Sequence, residues 1–90
     1  MRKVILDGRY MTGKLDAHTY MQEELGIKVY KGKNLDALWD ALTSCSEELD
    51  IKFVNRMKLI GNLGMYGESI TELFEESTLA NKKIKFTIKE

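Results

Sequence analysis

The chain has 90 residues, of which 43% are hydrophobic and 31% are charged, and its 14 Lys and Arg residues balance its 14 Asp and Glu residues. This composition excludes an intrinsically disordered chain, and the length predicts one domain, residues 1–90, with a single small core. Because Cys45 is the only cysteine, an internal disulfide is excluded and the fold requires no oxidising compartment.

The amino-terminal segment starts with basic residues, but it does not predict a targeting or membrane-spanning segment. Its apolar run, Val4, Ile5 and Leu6, ends at Asp7 and is too short for a signal peptide or a transmembrane helix. We therefore expect a soluble protein of the cytoplasm that does not associate with membranes.

The first half of the chain predicts a strand followed by two helices. Residues 3–7 form a continuous apolar run with β-branched members, which is typical of a buried strand. Apolar residues recur at helical spacing over 14–25, with Thr12 as the predicted cap and Gly26 at the end of the helix. A second helix is predicted over about 34–43, capped by Asn34.

The second half predicts two further strands with two helices between them. Residues 51–54 alternate like a strand, and a short helix over about 56–62 follows, with glycines after it. A longer helix is predicted over 68–80 and another alternating strand over 84–88. Strands separated by helix pairs indicate an α/β fold, β-α-α-β-α-α-β, with a three-stranded parallel sheet and its helices mainly on one face.

The charges are segregated along the chain. Residues 34–51 contain five acids, residues 59–81 contain four, and neither window contains Lys or Arg. If the two windows face the same way, the surface has a negative pole that attracts a cationic partner.

The second predicted helix carries two different faces. Leucines recur along the side that must be buried, whereas Asp36, Asp40 and Thr43 lie roughly opposite and Trp39 lies between the two sides. Like charges one turn apart repel each other by a few tenths of a kcal/mol. Taken alone, such a face is most simply a solvated surface, with Asp36 favourably placed near the positive end of the helix dipole.

The last predicted helix adds a second row of like charges. Glu68, Glu72 and Glu76 follow each other at intervals of four residues with no base between them. Two rows of uncompensated repulsion in one small domain favour a different interpretation, in which stability is given up to maintain a negative surface.

Residues 30–40 read YKGKNLDALWD. They resemble the signature loop and helix of the barstar family, whose members are intracellular inhibitors of the secreted bacterial ribonuclease barnase. The resemblance extends over nearly the whole chain in the order and length of its elements, and outside residues 30–40 it lies in pattern more than in identity. It implies a barstar-like fold, in agreement with the α/β fold inferred from the residues.

The resemblance also implies a function: stoichiometric inhibition of a basic extracellular ribonuclease, with no enzymatic activity of the chain itself. In the family, the second helix and the loop before it block the ribonuclease active site, and the Asp that matches Asp40 takes the position of an RNA phosphate among catalytic Arg and His residues. The partner-binding residues implied for this chain are Tyr30, Gly32, Asn34, Leu35, Asp36, Trp39, Asp40, Thr43 and Glu76.

Four positions depart from the best-known member of the family. Lys31 and Lys33 replace neutral or acidic residues, Cys45 replaces a tryptophan of the contact, and Ala80 replaces an acid. These changes indicate a target that is related to barnase but differs at the rim of its active site.

Other classes of function find little support in the sequence. The glycine-rich run GNLGMYG lacks the residues of a nucleotide-binding loop, and His18 has no second His or Cys at ligand spacing, so no cofactor or metal is expected. No contiguous basic stripe predicts nucleic-acid binding, and a monomer is expected when the chain is free.

Two alternatives to a ribonuclease inhibitor remain. One is an acidic adaptor that keeps the barstar fold but binds a different basic protein, which Lys31 and Lys33 favour. The other is a small hydrolase that uses Asp36 and Asp40 as an acid–base pair, for which the sequence offers only their proximity.

Overall fold

Three parallel strands form the centre of the structure, a computed structural model that describes residues 1–89. The sheet order is β1-β2-β3, so the middle strand in sequence is also the middle strand in space. This architecture confirms the predicted α/β fold with a three-stranded parallel sheet. The elements in chain order are β1 (Arg2–Asp7), a short 3-10 helix (Gly8–Tyr10), α1 (Lys14–Leu25), α2 (Leu35–Ser44), β2 (Leu49–Val54), α3 (Arg56–Leu63), α4 (Met65–Ala80) and β3 (Ile84–Lys89).

One face of the sheet is buried and the other is open. In the register of the three strands, Val4 pairs with Ile51, which pairs in turn with Phe86, and this row lies on the buried face. The neighbouring row, Ile5, Lys52 and Thr87, is exposed. The helices therefore cover mainly one face, as the sequence predicts, because side chains along a strand alternate between its two faces.

The core is formed where α2 and α4 meet the sheet. Leu38 and Leu42 of α2 are fully buried, as are Ile70 and Phe74 of α4. The ring of Phe74 contacts Phe53 of β2 edge to face, with ring centroids 6.5 Å apart. Both helices are thus fixed against the sheet by large apolar side chains, and their opposite sides face solvent.

Two predicted helix starts differ from the structure. α1 is preceded by Gly13 rather than capped by Thr12, whose hydroxyl instead donates to the carboxylate of Asp16 at 3.3 Å. α4 begins at Met65, three residues before the predicted start at 68, directly after Gly64 with its positive φ of 56°. Gly67 therefore lies inside α4.

The two glycines have different physical roles. Gly64 takes a backbone conformation that side chains disfavour, which lets the chain turn between α3 and α4 without a longer loop. At Gly67, a Cβ atom would lie 3.0 Å from the carbonyl oxygen of Leu59. The absence of a side chain there allows α3 to approach α4 closely.

Candidate functional site

Acidic side chains of α2 and α4 line one groove. α2 and α4 pack side by side, and the groove between them has a volume of about 280 Å³. Its lining residues are Leu35, Asp36 and Trp39 from α2 and Ser69, Glu72, Leu73 and Glu76 from α4. Asp36 of α2 therefore faces the same groove as Glu72 and Glu76 of α4, whereas Asp40 and Glu68 are not among its lining residues.

The acids around this groove are exposed. We call Asp36, Asp40, Glu68, Glu72 and Glu76 the acidic face, and all five side chains are accessible to solvent. Within residues 1–89, ion pairs join Arg2 to Glu47 and Arg9 to Asp7, each at 2.8 Å, and neither pair includes a member of the acidic face. Its charge is therefore compensated by solvent in the free protein, and it is available to a cationic partner.

α2 is held in place at both ends by side-chain amides. The carboxamide oxygen of Asn34 accepts a hydrogen bond from the backbone N–H of Ala37 at 2.8 Å, which confirms the predicted cap. At the other end, the Asn81 amide donates to the carbonyl oxygens of Leu42 and Cys45, both at 2.9 Å. α2 is thus a rigid support for Asp36 and Asp40.

Residues 26–34, which we call the recognition loop, lead into α2. Gly32 lies in this loop, and a Cβ atom there would lie 2.9 Å from the Cβ of Ala37, so a larger residue would push the loop away from the helix. Thr43, which lies further along α2, is half-buried and donates its hydroxyl proton to the carbonyl of Trp39 at 2.8 Å. Trp39 is half-buried at the edge of the groove.

All three lysines of the recognition loop, Lys28, Lys31 and Lys33, are exposed. The Lys33 ammonium donates to the side-chain oxygen of Gln22 at 3.0 Å, and the Gln22 amide donates to the carbonyl of Gly32, also at 3.0 Å. The Lys33 charge is therefore bonded to α1, on the other side of the recognition loop from α2.

Tyr30 is the predicted partner-binding residue that lies inside the molecule. Its side chain is only 3% exposed, and its hydroxyl lies 2.5 Å from Nδ1 of His18, which is fully buried. The hydroxyl of Tyr66 lies 2.6 Å from Nε2 of the same imidazole. The ring of Tyr30 thus offers little surface to a partner, and it fixes the recognition loop to α1 instead.

Burial shifts the pKa values of Tyr30 and His18 in opposite directions. It raises the pKa of Tyr30 above its ordinary range, because the phenolate form loses hydration. Burial also lowers the pKa of His18, and the positive charge of Lys33 lowers it further. His18 is therefore neutral and Tyr30 protonated at pH 7.

The contacts of His18 with two tyrosines are not predicted by the sequence pattern. A signal was present, since His18 precedes Met21 by three residues and Leu25 by seven, which places all three on the inner side of α1. A polar residue on an inner face predicts a buried hydrogen bond. The identity of its partners was not predictable from that position.

Two kinds of site are not formed by the described part of the chain. Within residues 1–89, no group of three or more His, Cys, Asp or Glu side chains is arranged to hold a metal ion. No helix in the same range is long and apolar enough to cross a membrane.

Comparisons with known proteins match nearly the whole chain. The model of the family described as Barstar (barnase inhibitor) matches residues 1–89. The chain is also similar to a protein of Bacillus subtilis (strain 168) named "Putative ribonuclease inhibitor YrdF", with 35% identity over 79 residues, which is 86% of each chain. The family match therefore includes every element that forms the groove and the recognition loop.

Proposed function

The chain belongs to the barstar family, and from this we propose that it inhibits a basic ribonuclease of the barnase type that is secreted by bacteria. Inhibition is stoichiometric and involves no chemistry by the chain itself. α2 and the recognition loop cover the active site of the enzyme, and the acidic row of α4 contacts its rim. The observation that carries this proposal is the groove at which unpaired acids of α2 and α4 converge.

The chemistry of a ribonuclease site explains why carboxylates suit this task. Such a site holds the phosphate of RNA with cationic side chains, and a carboxylate can form the same charge-assisted hydrogen bonds without being cleaved. Asp40 lies one turn after Asp36 on a helix that is fixed at both ends, so its carboxylate enters the site with little loss of conformational freedom.

The other proposed contact residues lie on α2, on α4 and in the recognition loop. Asp36, Leu35 and Trp39 line the groove together with Glu76, which meets a further basic residue of the enzyme. Gly32 and Asn34 complete the contact at the end of the recognition loop, and Thr43 completes it along α2. Tyr30 belongs to the site through its support of the recognition loop.

The proposed place of action is the cytoplasm. An inhibitor kept there protects its own cell from ribonuclease that has not yet been secreted. Electrostatic attraction between the acidic face and a basic enzyme then speeds the encounter, since complementary charges raise association rates.

The test is a titration of ribonuclease activity with the wild-type chain, using barnase and the secreted ribonuclease encoded in the same genome. We expect activity to disappear at a one-to-one ratio with at least one of these enzymes. In that titration, Asp40→Ala should weaken binding by about 2–5 kcal/mol, or roughly thirtyfold to several thousandfold in Kd, because several cations lose their common partner. The range is the general one for truncating one member of a buried charge pair, and losses in the barnase–barstar complex reach about 7 kcal/mol or more.

Glu75→Ala is the matched control for Asp40→Ala. Glu75 is exposed on α4 but borders a different groove, formed with residues of β3, so its removal should change Kd less than about threefold. Equal small losses in both variants would show that the acids at 36 and 40 are only a solvated surface.

A second candidate function is binding of a different basic protein through the same acidic face. The exposed Lys31 beside α2 favours it, because a positive charge at the rim repels a strongly cationic enzyme. Two results together would favour this candidate. The wild-type chain would bind a basic protein that is not a ribonuclease while Asp40→Ala would not, and the wild-type chain would inhibit neither enzyme.

A further inference from the structure

We propose that α1 preorganises the recognition loop, with His18 and Gln22 as positioning residues, and that Tyr66 extends this support to α4. The inference rests on the proposed function, because it assigns a task to residues that lie behind the binding surface. It arises from one observation: Tyr30, Gly32 and Lys33 of the recognition loop all form hydrogen bonds with side chains on the same side of α1.

The first point of support is the buried hydrogen-bond relay Tyr30–His18–Tyr66. Each tyrosine ring meets the imidazole edge to face, with centroids 6.0 Å apart in both cases. A neutral imidazole has one donor and one acceptor nitrogen, so one tyrosine hydroxyl donates to it and the other accepts from it. Both ring nitrogens are thereby satisfied, although His18 is completely buried.

The second and third points lie one helical turn further along α1. Gln22 follows His18 by four residues, which places both on the same side of the helix. Its amide donates to the carbonyl of Gly32, and its oxygen accepts from the Lys33 ammonium. The recognition loop is thus bonded to α1 at residues 30, 32 and 33, immediately before α2 begins at Leu35.

Apart from the bonds to α1, the recognition loop has the Asn34 cap of α2 and a backbone bond from the Tyr30 N–H to the carbonyl of Ile27 at 3.1 Å, but it buries little apolar surface. Within residues 26–34, Tyr30 is the buried side chain and Ile27 is half-buried, whereas the others are exposed. A loop with so little buried apolar surface would be mobile if it were not bonded to a neighbouring element. The bonds from α1 therefore decide how much of the loop is already ordered before a partner arrives.

Order in the free protein affects affinity because binding otherwise has to immobilise the loop. Each side chain or loop segment that is fixed beforehand removes an entropic cost from association. Tyr66 joins this support to the start of α4, the helix that carries the second acidic row. The same relay therefore fixes the position of the recognition loop relative to the first turn of α4.

Two lysines lie near the relay, one on α1 and one in the recognition loop. The Lys14 ammonium of α1 lies 4.7 Å from the centroid of the Tyr66 ring, and the Lys33 charge acts on His18 from the recognition loop. Neither donates a hydrogen bond to the imidazole, whose two nitrogens are occupied by the tyrosines. Removal of either tyrosine hydroxyl thus leaves a buried nitrogen without a partner.

The test compares Tyr30→Phe, Tyr66→Phe and Gln22→Met with the control Tyr20→Phe. Tyr20 lies on α1, as His18 and Gln22 do. Its hydroxyl accepts a hydrogen bond from the backbone N–H of Asp7 at 2.9 Å, away from the recognition loop. The control therefore loses a tyrosine hydroxyl from the same helix without touching the loop.

Hydrogen exchange of the free protein is measured first, since it needs no partner. The three variants should speed exchange of the Tyr30 amide, which donates to the carbonyl of Ile27 at 3.1 Å within the loop, by about two- to tenfold, as expected for one net hydrogen bond, relative to amides of the central strand β2. Tyr20→Phe should leave this ratio unchanged. Equal acceleration in the loop and in β2 would indicate a general loss of stability, and no acceleration in the loop would also overturn the proposal.

Binding to barnase is measured second. Each of the three variants should raise Kd by about two- to tenfold, and Tyr30→Phe with Tyr66→Phe should raise it by less than the product of the two single effects, because either change already breaks the relay. Faster exchange in the loop with an unchanged Kd would refute the proposed role in recognition. Failure of the wild-type chain to bind barnase would count against barnase as the target, and the exchange measurement would still decide whether α1 orders the loop.

Discussion

Asp7 and Asp36 both stand at the start of a helix, yet their surroundings are opposite. Asp7 is 7% exposed, and its carboxylate accepts hydrogen bonds from the backbone N–H of Arg9 at 2.9 Å and from the Asn55 amide at 3.0 Å. The Arg9 guanidinium adds an ion pair at 2.8 Å. Asp36 is exposed in the first turn of α2 and takes part in neither ion pair of residues 1–89.

The difference shows two uses of the same side chain. The hydrogen bond from the Arg9 side chain lowers the pKa of Asp7 to about 2, against the opposing effect of burial. Asp7 therefore stabilises the folded state by its internal contacts, which join β1 to the residue before α3. Asp36 makes no such contribution, and its negative charge remains available for a partner.

The largest effect on stability should follow from Asp7→Ala. This change leaves the Asn55 amide and the backbone N–H of Arg9 without their acceptor, which should lower the free energy of unfolding by about 1–3 kcal/mol. Urea unfolding followed by circular dichroism measures the loss. Titration of the ribonuclease with the folded variant should give the same Kd as the wild type, and a weakened Kd would show that the two regions are not independent.

Acid should remove the contribution of Asp7 in the wild type. The carboxyl binds its proton near pH 3.8 in the unfolded chain but only near pH 2 in the folded one, so the unfolded state binds more protons between these values. The contribution, on the order of 2 kcal/mol or less, is thus fully present above about pH 4 and is lost as the pH falls towards 2. The free energy of unfolding, measured from pH 5 to 2, should fall less steeply for Asp7→Asn than for the wild type. Identical slopes would contradict the assignment of this pH dependence to Asp7.

The acidic face should make association sensitive to salt. Screening shortens the range of the electrostatic attraction from about 30 Å at 0.01 M to about 8 Å at 0.15 M, and we expect the association rate with the ribonuclease to fall by about tenfold or more over this range. Stopped-flow fluorescence, with Trp39 as the natural reporter, measures it. Asp36→Asn should reduce the salt dependence, whereas Asp7→Asn should not.

The smallest effect on stability should follow from Asp36→Ala. Loss of the favourable interaction with the helix dipole, about 0.3–1 kcal/mol, is partly offset by relief of repulsion from Asp40, about 0.2–0.5 kcal/mol. The free energy of unfolding should therefore change by less than about 0.8 kcal/mol. A loss above about 1 kcal/mol in the same urea experiment would identify Asp36 as a structural residue, comparable to Asp7.

Local signals in the sequence predicted local structure well. Asn34 was recognised as a cap because its side chain bonds to a backbone group three residues away, and such a contact needs no tertiary structure. Asn81 was recognised as the end of α4, although the sequence did not show that its amide also holds the end of α2. The short distance along the chain is why such caps can be recognised in a sequence, although the same reasoning is wrong at Thr12, since Gly13 directly precedes α1.

Packing overrode the local signal where the two disagreed. Gly67 interrupts a helical pattern in sequence, and glycine is unfavourable in a helix interior. In the structure it is buried inside α4 because α3 approaches the backbone there too closely for a side chain. The error at the start of α4 thus reflects a contact with Leu59 that residues 64–68 alone do not reveal.

By itself, the sequence determined which sides of the helices and strands are apolar and which residues of α2 and α4 carry exposed charge, because those properties follow from spacing along one element. It did not determine that Asp36 of α2 lines one groove with Glu72 and Glu76 of α4, since that depends on how the two helices pack. Nor did it determine that Tyr30 turns inward to His18, whose other partner, Tyr66, is 48 residues further along the chain. Contacts of this kind form only once the sheet has brought distant segments together and burial has made an unpaired polar group costly, so the tertiary structure decided them.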